Sequence, residues 1–443
     1  MKGSQVSEVL TAKKENFLVA NRSIGLWTAG LSIAATWIWA PALFVAAQQA
    51  YVNGFWGLFW FTVPNILALV FFGGFALTLR QRIPEGYTLS GYMRDRYSKR
   101  TQHAYHAQLL IQDVCAFAVQ LVAGGAIIAG ITGWSYHMIV LIMAVVVLAY
   151  SLLGGLKASI FTDHIQMIII AAVIIGISIP IVFLSGGIPN IINGFSGTAN
   201  PDPWMLMLSF GIPSAIILFA GPFGFSAFWQ RGLALKNPND VRKSYHLGAG
   251  VFAIVPIGLG LVGFAAAGVN LAVDDVQLTN LTAVQEFLPA WVVIPFTVAI
   301  LMGLMSTLDS ALSGASSVWG HDFSETYSHR KAQAGMTLVA LLATAVAFIP
   351  GVTILYLWFF YGTSRAATMM PTILTLTKGK VSKQITEKGM FFGIVLGLIF
   401  GAPVMIYGQI TKNWQIGLLG SLAAVGLSAG IVLLTRKKEA VEA

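Results

Sequence analysis

Long apolar runs separated by short polar stretches dominate the chain. A helix needs about 20 apolar residues to cross the hydrocarbon core of a bilayer. Such runs recur about twelve times, over 24–51, 54–79, 105–131, 134–153, 158–184, 205–228, 244–267, 287–316, 335–350, 352–376, 389–408 and 414–435. Residue-by-residue alternation, the pattern of a membrane barrel strand, does not organise these runs. The pattern predicts an all-α integral membrane protein. The ninth run is short and stops at Pro350-Gly351, the fifth contains Pro180, and the sixth contains Gly221-Pro222.

Composition agrees. Of 443 residues, 56% are hydrophobic and 10% charged, against about 25% charged in an ordinary soluble domain. A soluble enzyme, a nucleic-acid-binding domain and a disordered chain are excluded on that ground. The net charge of +9 has a membrane explanation, because Lys and Arg are retained on the cytoplasmic side. With twelve spans and a cytoplasmic N-terminus, 24 of the 26 Lys and Arg fall inside. Lys412 falls outside and Arg365 lies within a span. Both termini are therefore expected in the cytoplasm of a multi-pass protein of the plasma or inner membrane. The single cysteine, Cys115, rules out a disulfide framework and a cysteine metal site. The polar first 23 residues do not read as a signal peptide, so insertion relies on the first span. Outer segments such as 268–286, with Asp274, Asp275 and Glu286, carry no Lys or Arg.

Candidate chemistry sits where the apolar logic is broken. Ionisable groups inside a membrane are costly and face a partner or a cavity. Asp113, Asp163, Asp309 and Arg365 are such groups, and mutual pairing that fixes helix packing is the plainer reading of Asp113 and Arg365. In the eighth span Gly303, Ser306 and Thr307 follow i, i+3, i+4 spacing and share one face. A backbone carbonyl and two hydroxyls there can replace the water shell of a small hard cation; close helix packing through small residues is the alternative. In the first span Pro41 frees carbonyls around Ala35–Ile38, tolerable beside a cavity, an ion or another helix. Gly221-Pro222 is the matching weak point of the sixth span. One interrupted span at corresponding places in two halves points to an inverted-repeat transporter. Trp37, Trp39, Phe219, Phe223 and Phe228 offer aromatic surface for a small solute. Trp229, two residues before Arg231, reads as part of an interfacial belt.

Four blocks carry a family resemblance: ENFLVANRSIG, YSLLGGLKASIFTDHIQ, FWQRGLALKN and MSTLDSALSGASSVWGHDF. With them the chain resembles the sodium:solute symporter family over about residues 15–376. TWIWAPALF and AFWQR look more like its urea and choline branches than its sugar branch. The resemblance implies a LeuT-type fold of two inverted five-helix repeats plus two further helices, with the first and sixth spans broken. The corresponding divisions are a cytoplasmic segment 1–23, repeats at 24–184 and 205–376, the last two helices at 389–435 and a tail at 436–443. It implies alternating access, with sodium as coupling ion. The sodium ligands fall on Ala35, Ile38, Gly303, Ser306 and Thr307. Asp163 matches a position tied to ion release, and Asp309 is a further coupling candidate. Trp37, with Phe219, Gly221 and Phe223, would line the solute site near the midplane. The partners implied are a small polar solute, such as an amino acid, urea or choline, and the bilayer, without nucleic acid. Many members carry an additional span before this lead-in, so twelve spans are expected here in place of the commoner thirteen, whether through truncation of the sequence or because the natural protein lacks that helix.

Other functions compete. A proton-coupled symporter would titrate Asp309 or Asp163. A membrane sensor would append signalling domains, and about eight residues follow the last span. HExxH and GxSxG motifs and clustered His ligands are absent, so no enzyme is expected.

Overall fold

A computed structural model describes residues 14–323 and 327–437. The extreme ends, with Lys2, Lys13 and Lys438 of the charge argument, lie outside the described residues, as do most of the segments expected at 1–23 and 436–443. The described residues are almost wholly helical and form no strand, only an isolated parallel bridge between Ile24 and Leu235. Among the described residues nine helical segments are long and apolar enough to cross a membrane.

The first expected span is two helices, α1 (Leu26–Trp37) and the start of α2 (Ala40–Arg82). Ile38 and Trp39 between them are extended, with φ/ψ of −84°/96° and −121°/170°. Pro41 explains the join, since it sits in the first turn of α2, where a missing N–H costs nothing. The Ala40 N–H left at that new terminus donates to Gln120 Oε1 at 2.8 Å. α2 turns at Gly54, where φ is +62°, and its remainder is the second expected span. α3 (Lys99–Thr132) follows. α4 (Tyr136–Leu184) carries the fourth and fifth expected spans, joined at Gly155 with φ +60°.

The sixth expected span, 205–228, is interrupted at Gly221-Pro222. α5 (Ile212–Ala220) ends before Gly221, residues 221–224 form a turn, Phe225 is extended, and α6 (Ser226–Ala234) begins again. Then come α7 (Val241–Gly268), α8 (Val293–Ser317), α9 (His329–Ala347), α10 (Ile354–Leu376), α11 (Glu387–Ile410) and α12 (Trp414–Leu434). α7 packs along α2, α8 against α4 and α3, and α11 and α12 against each other and α10.

The outer surface is apolar as a bilayer requires. On α4 alone Leu141, Val145, Leu153, Phe161, Ile168, Ile179 and Phe183 are exposed. The polar side chains instead turn inward: Ser32, Thr36, Gln112, Asp113, Asp163, Ser306, Asp309 and Arg365 are all buried. This inversion follows from the solvent, because hydrocarbon cannot hydrogen-bond and polar groups must find partners within the protein.

Candidate functional site at the two helix breaks

α8 crosses the break between α1 and α2 at Gly303. A Cβ there would stand 2.9 Å from Ile38 Cγ2 and 3.1 Å from Leu43 Cδ1, so glycine is what permits the approach. One turn on, the Thr307 hydroxyl donates to the Ile38 carbonyl at 3.0 Å and lies 3.5 Å from the Gly303 carbonyl. The Ala35 carbonyl, one turn before the break, accepts the Ile38 N–H at 3.0 Å. All of these residues are buried. The oxygens of Ile38, Gly303 and Thr307 thus converge from two elements far apart in sequence, in a place where the backbone has left the helical ladder.

Ser306 is on the adjoining face, and its hydroxyl donates to Asp163 Oδ1. A hydroxyl that gives its proton to a carboxylate keeps its lone pairs free to face elsewhere. Asp163 in turn accepts from Ser32 Oγ at 2.6 Å and from Arg231 Nη2 at 2.8 Å. Arg231 also donates to Ser32 Oγ, Ser310 Oγ and the Ala227 carbonyl at 2.8, 2.9 and 3.0 Å. It is 1% exposed, which corrects its assignment to the cytoplasmic charge excess. Trp229 is 2% exposed, with its indole N–H on the Phe223 carbonyl at 2.9 Å, so the belt reading is wrong as well. Both corrections have one cause. α6 is buried over its whole length, because it packs among α8, α1 and α2.

Asp309 lies one residue before Ser310. It accepts from Ser159 Oγ at 2.8 Å and from the Tyr150 hydroxyl at 3.2 Å. Thr36 joins this network, 3.3 Å from Ser310 Oγ. Asp163 and Asp309 are therefore the two acidic ends of one polar chain through Arg231 and Ser310. Among the described residues no group of three or more His, Cys, Asp or Glu is placed to hold a metal ion.

The aromatic candidates separate. Trp37 meets the second break: a Cβ at Gly221 would stand 2.2 Å from its Cη2. Its ring packs on Trp39 and Phe228, with centroids 5.8 and 5.2 Å away, and its N–H lies 3.3 Å from the Asn65 carbonyl. Phe219 and Phe223 turn away to α2, where Phe223 packs on Phe72 and Phe75 at 5.1 and 5.3 Å and Phe219 on Phe71 at 6.0 Å. Asp113 and Arg365, read as a packing pair, make no ion pair among the described residues. Arg365 Nε donates to Gln112 Oε1 instead.

Arg231, Ser32, Ser310 and Ser159 escaped sequence reasoning. Ser32 and Thr36 are spaced by four in an apolar helix, and Ser306, Ser310, Ser313 and Ser317 repeat along one stripe of α8; that spacing was the available signal. Nothing local marks Arg231, which looks like any cation at the end of an apolar run.

Comparison with known proteins adds to this geometry. Residues 17–397 match the family described as "Sodium:solute symporter family". The chain is 23% identical to a urea-proton symporter of Oryza sativa subsp. japonica over 90% of its own length and 62% of that protein's. It is 24% identical to a sodium/pantothenate symporter of Haemophilus influenzae, covering 95% of this chain and 92% of that one. It is 25% identical to a high-affinity proline transporter of Bacillus subtilis, over 75% and 73%. The chain spans 60 to 64% of the length of the urea transporters it matches. Among solved structures, a substrate-bound, outward-open Na+-coupled sialic acid symporter superposes with a TM-score of 0.75 at 16% identity, over 95% of this chain and 92% of that one. A nucleobase-cation-symport-1 family transporter in a closed conformation gives 0.65 at 14%, over 94% of each. The fold is accordingly LeuT-like.

Proposed function

The chain belongs to the sodium:solute symporter family, and we propose from that premise that it couples sodium entry to uptake of a small polar solute by alternating access. The meeting of the Ile38 and Gly303 carbonyls with the Thr307 hydroxyl at the α1–α2 break carries this reading. Unwound carbonyls and hydroxyls are the ligands of coupling ions in transporters of broken helices. Sodium is held by Ala35, Ile38, Gly303, Ser306 and Thr307. It replaces the Thr307–Ile38 hydrogen bond with two oxygen–cation contacts. The Asp163 carboxylate, by accepting the Ser306 hydrogen bond, turns that oxygen's lone pair to the ion. Arg231 holds Asp163 in place, so Asp163 acts on sodium through Ser306 and couples its loss to movement of α6.

The two breaks are the hinges of inverted repeats at 24–184 and 205–376, with 389–435 packed beside them. Both termini face the cytoplasm of a cell membrane, as the Lys and Arg distribution favours. The test is solute uptake into proteoliposomes at fixed pH with and without an inward sodium gradient. Sodium-driven accumulation is expected. Accumulation that follows a pH gradient and ignores sodium sinks the proposal.

A proton-coupled reading rests on a different observation. Asp309 accepts only hydroxyl donors among the described residues, and a space of about 10 Å³ beside it is lined by Tyr150, Ser159 and Ser313. That is the size one water needs. Under this reading Asp309→Asn abolishes pH-driven uptake, whereas under the sodium reading it leaves the half-saturating sodium concentration within about twofold.

A further inference from the structure

Asp113 is 2% exposed, and its Oδ1 has no hydrogen-bond partner among the described residues. Arg365, the counter-charge that the sequence suggests for it, donates to the Gln112 amide instead. Buried polar atoms without a partner are few in folded proteins. Asp113 lines a cavity of about 300 Å³ together with His103, His106, Ala107, Trp319 and Phe323. The walls are α3 and the end of α8, where Val318–Asp322 form a π-helical turn. Among the described residues none from α1, α2, α6 or α10 borders this cavity, so it is separate from the space at the two breaks.

The same cavity has a second acceptor. His106 Nε2 lies 3.2 Å from Asp322 Oδ2. Asp322 also accepts from the Thr88 hydroxyl at 2.8 Å and from the Ser90 hydroxyl. With a carboxylate accepting from Nε2, the Nδ1 of the neutral ring keeps its lone pair. That Nδ1 is buried and has no partner among the described residues. Ring faces complete the lining: the Phe323 centroid is 4.5 Å from that of His106 and 5.2 Å from that of Trp319. Among the described residues no Lys or Arg lines the cavity.

Free lone pairs beside ring faces, without a cation, are the complement of a positively charged donor. Spacing narrows the class. At 1.5 Å per residue Asp113 and His106 are about 10 Å apart along α3. A compact ion meets one of them; a chain with an ammonium at each end meets both. A metal ion needs several ligands together, and among the described residues no group of three His, Cys, Asp or Glu is placed to hold one. A lipid headgroup is anchored by its phosphate. The exposed Lys99 and Arg100 at the start of α3 are about 20 Å along the helix from Asp113, too far for one headgroup to span. Charge balances as well, because one ammonium faces the Asp113 carboxylate and the other faces Asp322 through His106. We propose that this cavity binds a linear aliphatic diamine, with one ammonium on Asp113 and the other on His106 Nδ1 against the rings of Trp319 and Phe323. The exposed Ala107 stands at its rim. The diamine bridges α3 to the end of α8, the helix that carries Gly303, Ser306 and Thr307.

The test is direct binding to purified full-length protein, by isothermal titration and thermal shift at constant ionic strength. The probes are putrescine, cadaverine, n-butylamine, tetramethylammonium and zinc chloride. Both diamines are expected to bind and to raise the melting temperature. The half-saturating concentration of n-butylamine, which has one ammonium, is expected to be higher by about fivefold or more. Tetramethylammonium has no N–H to donate and is expected to have no effect; neither is zinc. Asp113→Asn raises the half-saturating diamine concentration by about tenfold or more. Ala107→Phe, at an exposed position that folding does not depend on, closes the rim and weakens the diamines likewise. Absence of diamine binding, equal affinity for putrescine and n-butylamine, or unchanged diamine saturation in both variants overturns the proposal. A zinc response lost in Asp113→Asn assigns the cavity to a metal ion. Stabilisation by phosphatidylethanolamine in phosphatidylcholine nanodiscs, lost in the same variant, assigns it to a lipid headgroup. Either result overturns the diamine site.

Discussion

At the scale of single residues, the candidate site is a division of labour between oxygens that face the break and charges that hold them. Ser306 and Thr307 are neighbours on α8, yet one donates to Asp163 and the other to the Ile38 carbonyl. Ser306→Ala and Thr307→Ala are each expected to raise the half-saturating sodium concentration of uptake, with expression unchanged. Normal sodium dependence in both moves the ion elsewhere. The Asp163–Arg231 pair is fully buried, and removing one member of such a pair costs about 3–5 kcal/mol because the other charge is stranded. Asp163→Asn and Arg231→Gln each lower the melting temperature in detergent. The double variant loses less than the two added together, since it strands no charge. Independent, additive losses would show that the pair is not one unit. The sequence marks Asp163 and the Ser306-Thr307 pair, because an acid and adjacent hydroxyls stand out in apolar helices. It does not mark Arg231, whose partners lie 68, 79 and 199 residues away.

At the scale of elements, glycines set where helices turn and how closely they cross. Gly54 turns α2 at φ +62°, and a Cβ there would stand 2.0 Å from the Phe195 carbonyl oxygen. Gly54→Ala meets both a disfavoured backbone conformation and a rigid backbone atom. It is expected to cut the yield of folded protein sharply. Gly426→Ala in α12, with nothing within 4 Å of its Cβ, leaves yield unchanged or slightly improved. Fluorescence-detected size exclusion checks the pair, and equal yields would contradict the packing described. The two interruptions differ in legibility for a related reason. Pro41 announces the first break chemically. Gly221-Pro222 marks the second as a weak point, but the burial of α6 after it is visible only in the packing.

At the scale of the whole molecule, orientation follows from charge. In a Cys115→Ser background, Lys412→Cys is expected to react with an impermeant maleimide in intact cells. Lys157→Cys and Lys378→Cys are expected to react only after permeabilisation. All three native residues are exposed, so labelling reports sidedness and not burial. Reaction of Lys157→Cys in intact cells would invert the topology. The twelve expected runs also map onto the helices in order, although the fourth and fifth lie on one helix turned at Gly155 and the sixth is split at Gly221-Pro222.

The sequence by itself determined the class of the molecule and the places where its helices carry cost. Both are local properties: hydrophobic run length, retained cations, and polar or Pro residues in apolar stretches. Tertiary structure alone decided which of those costly groups satisfy one another. Arg231 pairs with Asp163 and Arg365 does not pair with Asp113; Trp37 meets Gly221 while Phe219 and Phe223 pack on α2. In a bilayer core water is not there to satisfy a polar group, so its role is set by whichever neighbour the packing brings, and that neighbour is rarely near in the chain.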